Sequence, residues 1–183
     1  MYPKIYLAID NCFASKRWTA PADWARVIKD LGVNYIEASA DTELDPLYMG
    51  KEYLAGWKKQ VRAAQNNHNV KVANLFSGHG TYSTLGLAHT EAQVRRNMLD
   101  NWFKPLIETA ADLGAGVGFY AHAFPVEGLQ SQERYDAYYK MLTDGLLELN
   151  EYARQVGCKY LALEQMYTPH QVPWTISGTK ALM

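Results

Sequence analysis

Cysteine is nearly missing from this chain. Cys12 and Cys158 are the two among 183 residues, they form no CxxC pattern, and no secretory signal precedes them, so neither a disulfide framework nor a CxxC redox or zinc motif is available. The start, MYPKIYLAID, is too short in apolar length for an export or membrane segment, which makes a reducing cytoplasm and no membrane partner the expectation. Excess charge is missing too. Eighteen Lys and Arg against nineteen Asp and Glu leave a net charge of −1, so the overall balance does not invite nucleic acid. No Gly/Ser/Pro-rich linker or low-complexity run divides the sequence, and with 48% apolar residues one domain over 1–183 has material for a real core.

What is present is a repeat. Five short runs, rich in β-branched or aromatic residues, each carry a polar residue at or close to their end and hand over to an amphipathic stretch: 5–10 (IYLAID), 35–41 (YIEASAD), 70–76 (VKVANLF), 117–122 (VGFYAH) and 160–166 (YLALEQM). Nearly continuous apolar character over four to seven residues predicts parallel strands buried on both faces. Between them, Thr19 as a cap and Pro21 near the first position start one helix that ends at Leu31-Gly32. A second spans about 51–66, with Tyr53, Leu54, Trp57 and Val61 at helical spacing. Thr90 to Gln93 has the form of a capping box and opens a third, which Pro105 should kink or split and Gly114 should end. A fourth covers about 132–156 and stops at Gly157. Alternation of strand and helix predicts βαβ units and a parallel sheet.

Two parallel architectures compete. A doubly wound open sheet of five strands is complete at this length, whereas a (β/α)8 barrel needs eight units and about 250 residues. The segment 173–183 reads as the start of a fifth helix, which favours an α/β fold that is part of a (β/α)8 TIM barrel: five strands, four helices and the beginning of a fifth helix.

In such a fold the chemistry lies at the C-terminal strand ends. These carry Asp10-Asn11-Cys12, Glu37 and Asp41, Asn74 followed by Ser77-Gly78-His79-Gly80, His122, and Glu164-Gln165. Glu164 stands out, because a carboxylate within LALEQM is costly in a dry core without a cation or donors around it; it is either a metal ligand or salt-bridged. His79 lies between two glycines, free to point into the mouth or satisfied by a nearby carbonyl. His122, taken alone, reads as a packed histidine; with His79 and Glu164 it joins three successive strand ends that converge on one spot. Trp18 and Trp174 belong to strand-to-helix loops, either as faces for a sugar or as packing. Cys12 is read as structural.

The NYIEAS unit, which ends strand two with Glu37, the SGHG turn, and YLALEQM-x-x-PHQ-x-PWT resemble the xylose isomerase-like TIM barrels, a superfamily of sugar and sugar-phosphate isomerases and epimerases. The resemblance covers the whole chain but five of the family's eight strands, so 1–183 is expected to be a single incomplete domain. It implies a divalent metal (Mn, Mg or Co) held by Glu, Asp, His and Glu from strands five to eight, of which Glu164 matches the first. Glu164 would also be one half of an acid/base pair acting next to a carbonyl through an enediolate. Glu37, His79 and His122 would contact substrate hydroxyls. Related ketose epimerases carry a second Glu six residues after the metal Glu; here His170 stands there, leaving it as a hydroxyl or phosphate contact.

Two further readings follow. The superfamily also contains metal-dependent endonucleases for abasic DNA, whose residue types His79, His122 and Glu164 would fit, although Lys58, Lys59, Arg62, Arg95 and Arg96 read as the outer faces of helices and not as a phosphate-binding stripe. As a polypeptide by itself, the chain is expected to be catalytically inactive, with open sheet edges that make pairing with another copy one outcome.

Overall fold

The computed structural model describes residues 2–79 and 84–183; Gly80 of the SGHG turn lies outside them. Five strands form one parallel sheet: β1 (Ala8–Asp10), β2 (Tyr35–Ser39), β3 (Lys71–Ser77), β4 (Gly116–Phe119) and β5 (Leu161–Leu163). Their spatial order is β1-β2-β3-β4-β5, and this decides between the two architectures. A doubly wound sheet reverses its strand order at a switch point, whereas here each strand is added beyond the last, as a (β/α) barrel grows. The sheet is not closed, and β1 and β5 are its edges.

The strands are shorter than the apolar runs. β1 starts at Ala8 because its partner β2 starts at Tyr35, directly opposite. Ile5 and Leu7 therefore have no ladder to join and are 91% and 74% exposed. β5 ends at Leu163 with the ladder of β4, although the Glu164 N–H still reaches the Phe119 carbonyl at 3.3 Å.

The helices are α1 (Cys12–Ser15), α2 (Pro21–Asp30), α3 (Pro46–His68), α4 (Ala92–Met98), α5 (Lys104–Leu113), α6 (Gln132–Val156) and α7 (Ile176–Leu182). Several ends differ from the sequence reading for local reasons. Ala20 occupies the cap of α2, so Thr19 does not cap it; Pro21 takes the first position, where no N–H is needed. The helix expected from about 51 begins at Pro46 with Asp45 as its cap, and Gly50 (φ 74°, ψ 165°) interrupts it, which is why regular periodicity appears in the sequence only after that glycine. Glu91, not Thr90, sits at the cap of α4. The expected break near Pro105 appears as a π-helical turn over Leu99–Phe103, with Pro105 in the first turn of α5, where its missing donor is harmless. α6 spans the expected residues and ends on Gly157 in the left-handed region (φ 77°).

The helices cover one face of the sheet. Ile36, Ala38, Val72, Leu75, Val117 and Phe119 from the strands meet Trp24, Ile28, Trp57, Val61, Trp102, Phe103, Leu106, Ile107, Leu142 and Leu149 in one buried cluster. The opposite, concave face is open: Asp10, Ala162 and Glu164 on it are exposed. The edge strands β1 and β5 are thus exposed on that side, whereas β4 is buried on both. Among the described residues no helix is long and apolar enough to cross a membrane.

Candidate functional site

Strand register places four polar side chains at the C-terminal end of the concave face. Asp10 pairs with Glu37, and Glu37 with Asn74. The Asn74 amide donates to Glu37 Oε2 at 2.6 Å. Gly118 of β4 lets that amide approach, since a Cβ there would lie 2.9 Å from Asn74 Nδ2. Glu164 follows on from Ala162, the partner of Gly118. Burial pushes the Glu37 carboxyl up; the Asn74 bond opposes this, and the neighbouring Asp10 and Glu164 carboxylates add to the rise. Glu37 therefore lies close enough to both neighbours to feel their charge. A carboxyl poised above its ordinary range by such surroundings suits proton exchange or hydrogen-bond donation.

Below the rim lies a network that sequence reasoning missed. After β2 the chain makes a π-helical turn over Ala40–Leu44, which drives Glu43 inward until it is 4% exposed. Its carboxylate accepts from the indole N–H groups of Trp24 and Trp57, both at 2.7 Å, and from the Asn11 amide at 2.8 Å. Asn11 in turn accepts from the Ser39 N–H at 2.7 Å, and its own N–H reaches the Glu37 carbonyl at 2.9 Å. The ends of β1 and β2 are thereby tied together directly behind Asp10 and Glu37. No local pattern announces Glu43; Trp24 and Trp57 look like ordinary core positions on two helices.

The three histidines differ sharply. His122 is 3% exposed, and its Nε2 accepts the Val172 N–H at 3.0 Å. Burial, helped by nearby His170, lowers its pKa to about 3, so the ring is neutral and anchors the loop after β5. His170 sits in that loop, its Nδ1 3.0 Å from Thr168 Oγ1 and its carbonyl accepting the Phe124 N–H at 2.7 Å. His79 follows β3, with its backbone N–H on Ser77 Oγ at 3.0 Å and its ring near those of Tyr48 and Trp102, at centroid distances of 6.0 and 5.8 Å. The structure thus places His122 against the loop that carries His170, and His79 against Tyr48 and Trp102.

A match to the family described as "Xylose isomerase-like TIM barrel" extends over residues 25–182. The chain belongs to this family. No curated protein matches it at a significant level. Solved structures of similar fold include a Rhodospirillum rubrum protein provisionally assigned as a xylose isomerase (TM-score 0.86, 21% identity, 98% of this chain and 60% of that one). The 3-keto-D-glucoside 4-epimerase YcjR of E. coli gives a TM-score of 0.70 at 19% identity, over 98% of this chain and 63% of that one. A xylose isomerase-like TIM-barrel protein of Mycobacterium smegmatis in complex with magnesium gives 0.59 at 18% identity, over 88% and 51%. The chain spans about three-fifths of the length of the first two.

A groove of about 490 Å³ lies on the outside between the start of α2 and α3, lined by Pro21, Met49, Tyr53 and Trp57 among others; it holds none of the strand-end residues. At the mouth, His122 and Glu164 share a cavity of about 10 Å³, room for little more than one water molecule. Among the described residues no group of three or more His, Cys, Asp or Glu is arranged to hold a metal ion. Trp18 is half-buried against the core and Trp174 is 40% exposed. Burial raises the Cys12 thiol, with Asp10 adding to the effect, which fits a structural cysteine.

Proposed function

We propose that residues 1–183 form the strand-one to strand-five part of a sugar or sugar-phosphate isomerase or epimerase in which Glu164 exchanges a proton with the carbon beside the substrate carbonyl. The observation that carries this reading is the convergence of Asp10, Glu37 and Glu164 at one end of the concave face, close enough that Asp10 and Glu164 both raise the Glu37 pKa. A Glu164 carboxylate oxygen takes the proton from the C–H bond, and the electron pair passes into an enediolate. Return of a proton to the neighbouring carbon gives an isomer; return to the opposite face gives an epimer. The second acid/base group would come from outside 1–183. Glu37, steadied by Asn74, meets a substrate hydroxyl, and His79 and His170 offer further polar contacts. His122 acts through the loop it anchors. A divalent ion (Mn, Mg or Co) would receive Glu164 from this chain and its remaining ligands from elsewhere.

The basic helical residues favour this reading over a DNA endonuclease. Lys58 pairs with Asp112, the Arg62 guanidinium donates to the Asp112 carbonyl, Arg95 donates to the His89 and Thr90 carbonyls, and Arg96 pairs with Asp100 and Glu148. They are engaged on the helical layer and form no stripe at the strand mouth.

The test is solvent exchange. The full-length protein carrying this chain, supplied with each divalent ion, should wash deuterium into the carbon next to the carbonyl of a ketose or its phosphate, and Glu164→Gln should lower the rate about 10²- to 10⁴-fold. Exchange that proceeds undiminished in that variant overturns the assignment.

A further inference from the structure

His79 is set between two carboxylates. Its Nδ1 lies 3.5 Å from Asp45 Oδ2 and 3.8 Å from Asp41 Oδ1. The two acids are held differently. Asp41 accepts from the Ser77 hydroxyl and, at 2.9 Å, from the Gly78 N–H, so it is fixed to the end of β3. Asp45 is 2% exposed, and its Oδ1 accepts the Leu47 N–H at 2.8 Å. Its Oδ2 is buried and has no hydrogen-bond partner among the described residues. A buried polar atom left in that state costs about 1–3 kcal/mol, and more when it carries charge. The N–H best placed to relieve it is that of His79 Nδ1. The ring packs against Tyr48 and Trp102, and 17% of its side chain is exposed, which limits its freedom to turn away. Among the described residues nothing hydrogen-bonds the other ring nitrogen, Nε2.

We propose that Asp45, seconded by Asp41, holds His79 as the Nδ1–H tautomer and so makes Nε2 a lone-pair acceptor for a hydroxyl of a polyhydroxylated ligand. The tautomer of a histidine is set by the hydrogen bond its other nitrogen makes, and the acid side of this pair is built into the cap of α3. Asp45 is then a positioning residue for His79. The identity of the ligand rests on the proposed function; the tautomer does not.

The experiment is long-range ¹H–¹⁵N correlation of the imidazole nitrogens in ¹⁵N-labelled protein, at a pH well above the usual histidine range so that the ring is neutral. The expected spectrum for His79 has a pyrrole-like Nδ1 and a pyridine-like Nε2. Asp45→Asn keeps a competent helix cap but removes the charge, and should turn one dominant tautomer into a mixture; Asp41→Asn should do so to a smaller extent. An Nε2–H tautomer in the unaltered protein, or an Asp45→Asn spectrum identical to it, overturns the inference. Because these readouts need no substrate, failure here leaves the role of Glu164 untouched, and failure of the isotope exchange leaves the tautomer standing.

Discussion

At the scale of single residues, the energetics centre on two buried titratable groups with opposite consequences. Burial raises the Glu43 carboxyl even though three donors act against it. A carboxyl with a raised folded-state pKa binds protons more readily folded than unfolded, so this group's contribution to stability falls as pH rises through the interval above the ordinary carboxylate value. Its removal is nevertheless costly. Glu43→Ala strands two indole N–H groups and the Asn11 amide, and unsatisfied buried donors at about 1–3 kcal/mol each should lower the unfolding free energy by roughly 3 kcal/mol or more, read from the urea midpoint. His122 has the reverse sign. With its pKa lowered from 6.5 to about 3, the unfolded chain binds the extra proton, so stability is lost as pH falls from about 6.5. His122→Gln keeps an acceptor for the Val172 N–H and should flatten that part of the pH–stability profile; an unchanged slope between about pH 6 and pH 4 would show that another group governs it. Little of this was legible in the sequence. Glu37, Asn74 and Glu164 could be found because strand ends in a parallel sheet share a rim. Glu43 depends on a π-helical turn and on two tryptophans from separate helices, and no spacing rule connects them.

At the scale of elements, β4 is the piece whose sequence matters most for the site. Gly116 and Gly118 face the concave side, and their missing side chains are occupied by neighbours: a Cβ on Gly116 would lie 2.3 Å from the Tyr160 ring, and one on Gly118 would lie 2.9 Å from Asn74 Nδ2 and from Phe76. Gly118→Ala should displace the Asn74 amide from Glu37. The bond it breaks is the one that lowers the Glu37 pKa, so the Glu37 carboxyl should titrate higher still, measurable by ¹³C NMR of the side-chain carboxyl. Overpacking of this kind costs about 1–3 kcal/mol; a Glu37 titration unmoved by the substitution would mean that Asn74 keeps its place. The elements themselves were the most readable level. Periodicity located all five strands, and α6 matched at both ends because Ser131 accepts from the Arg134 N–H and Gly157 supplies the left-handed stop. Where the reading missed, at the starts of α2, α3 and α4, the deciding residue was one position from the apparent cap or lay beyond a glycine break. Strand lengths missed for a different reason. Apolar character says that a segment wants burial, whereas strand length is set by how far its partner runs.

At the scale of the whole molecule, the open sheet governs behaviour. The β1 edge is preceded by Tyr2, Ile5, Tyr6 and Leu7, all exposed, and the β5 side presents Tyr160, Tyr167, Trp174 and Ile176, also exposed. Unpaired edges flanked by apolar side chains pair with whatever strand is offered. The concave face resists a second copy, because Asp10, Glu37 and Glu164 would meet their own likeness across it, so association should run through the edges. A polypeptide of residues 1–183 should therefore sediment as oligomers or aggregates whose size grows with concentration. It should show no ketose turnover with Mn, Mg or Co, since among the described residues no three ligands stand together to hold an ion and the second proton carrier of the proposed reaction is not among them. Both quantities can be read on one preparation, by sedimentation velocity and by coupled assay. A monodisperse monomer that binds a divalent ion at micromolar concentration and turns over any ketose would mean that the five-stranded sheet is a finished enzyme, and that Glu164 finds its cation and its acid/base partner among the residues of this chain.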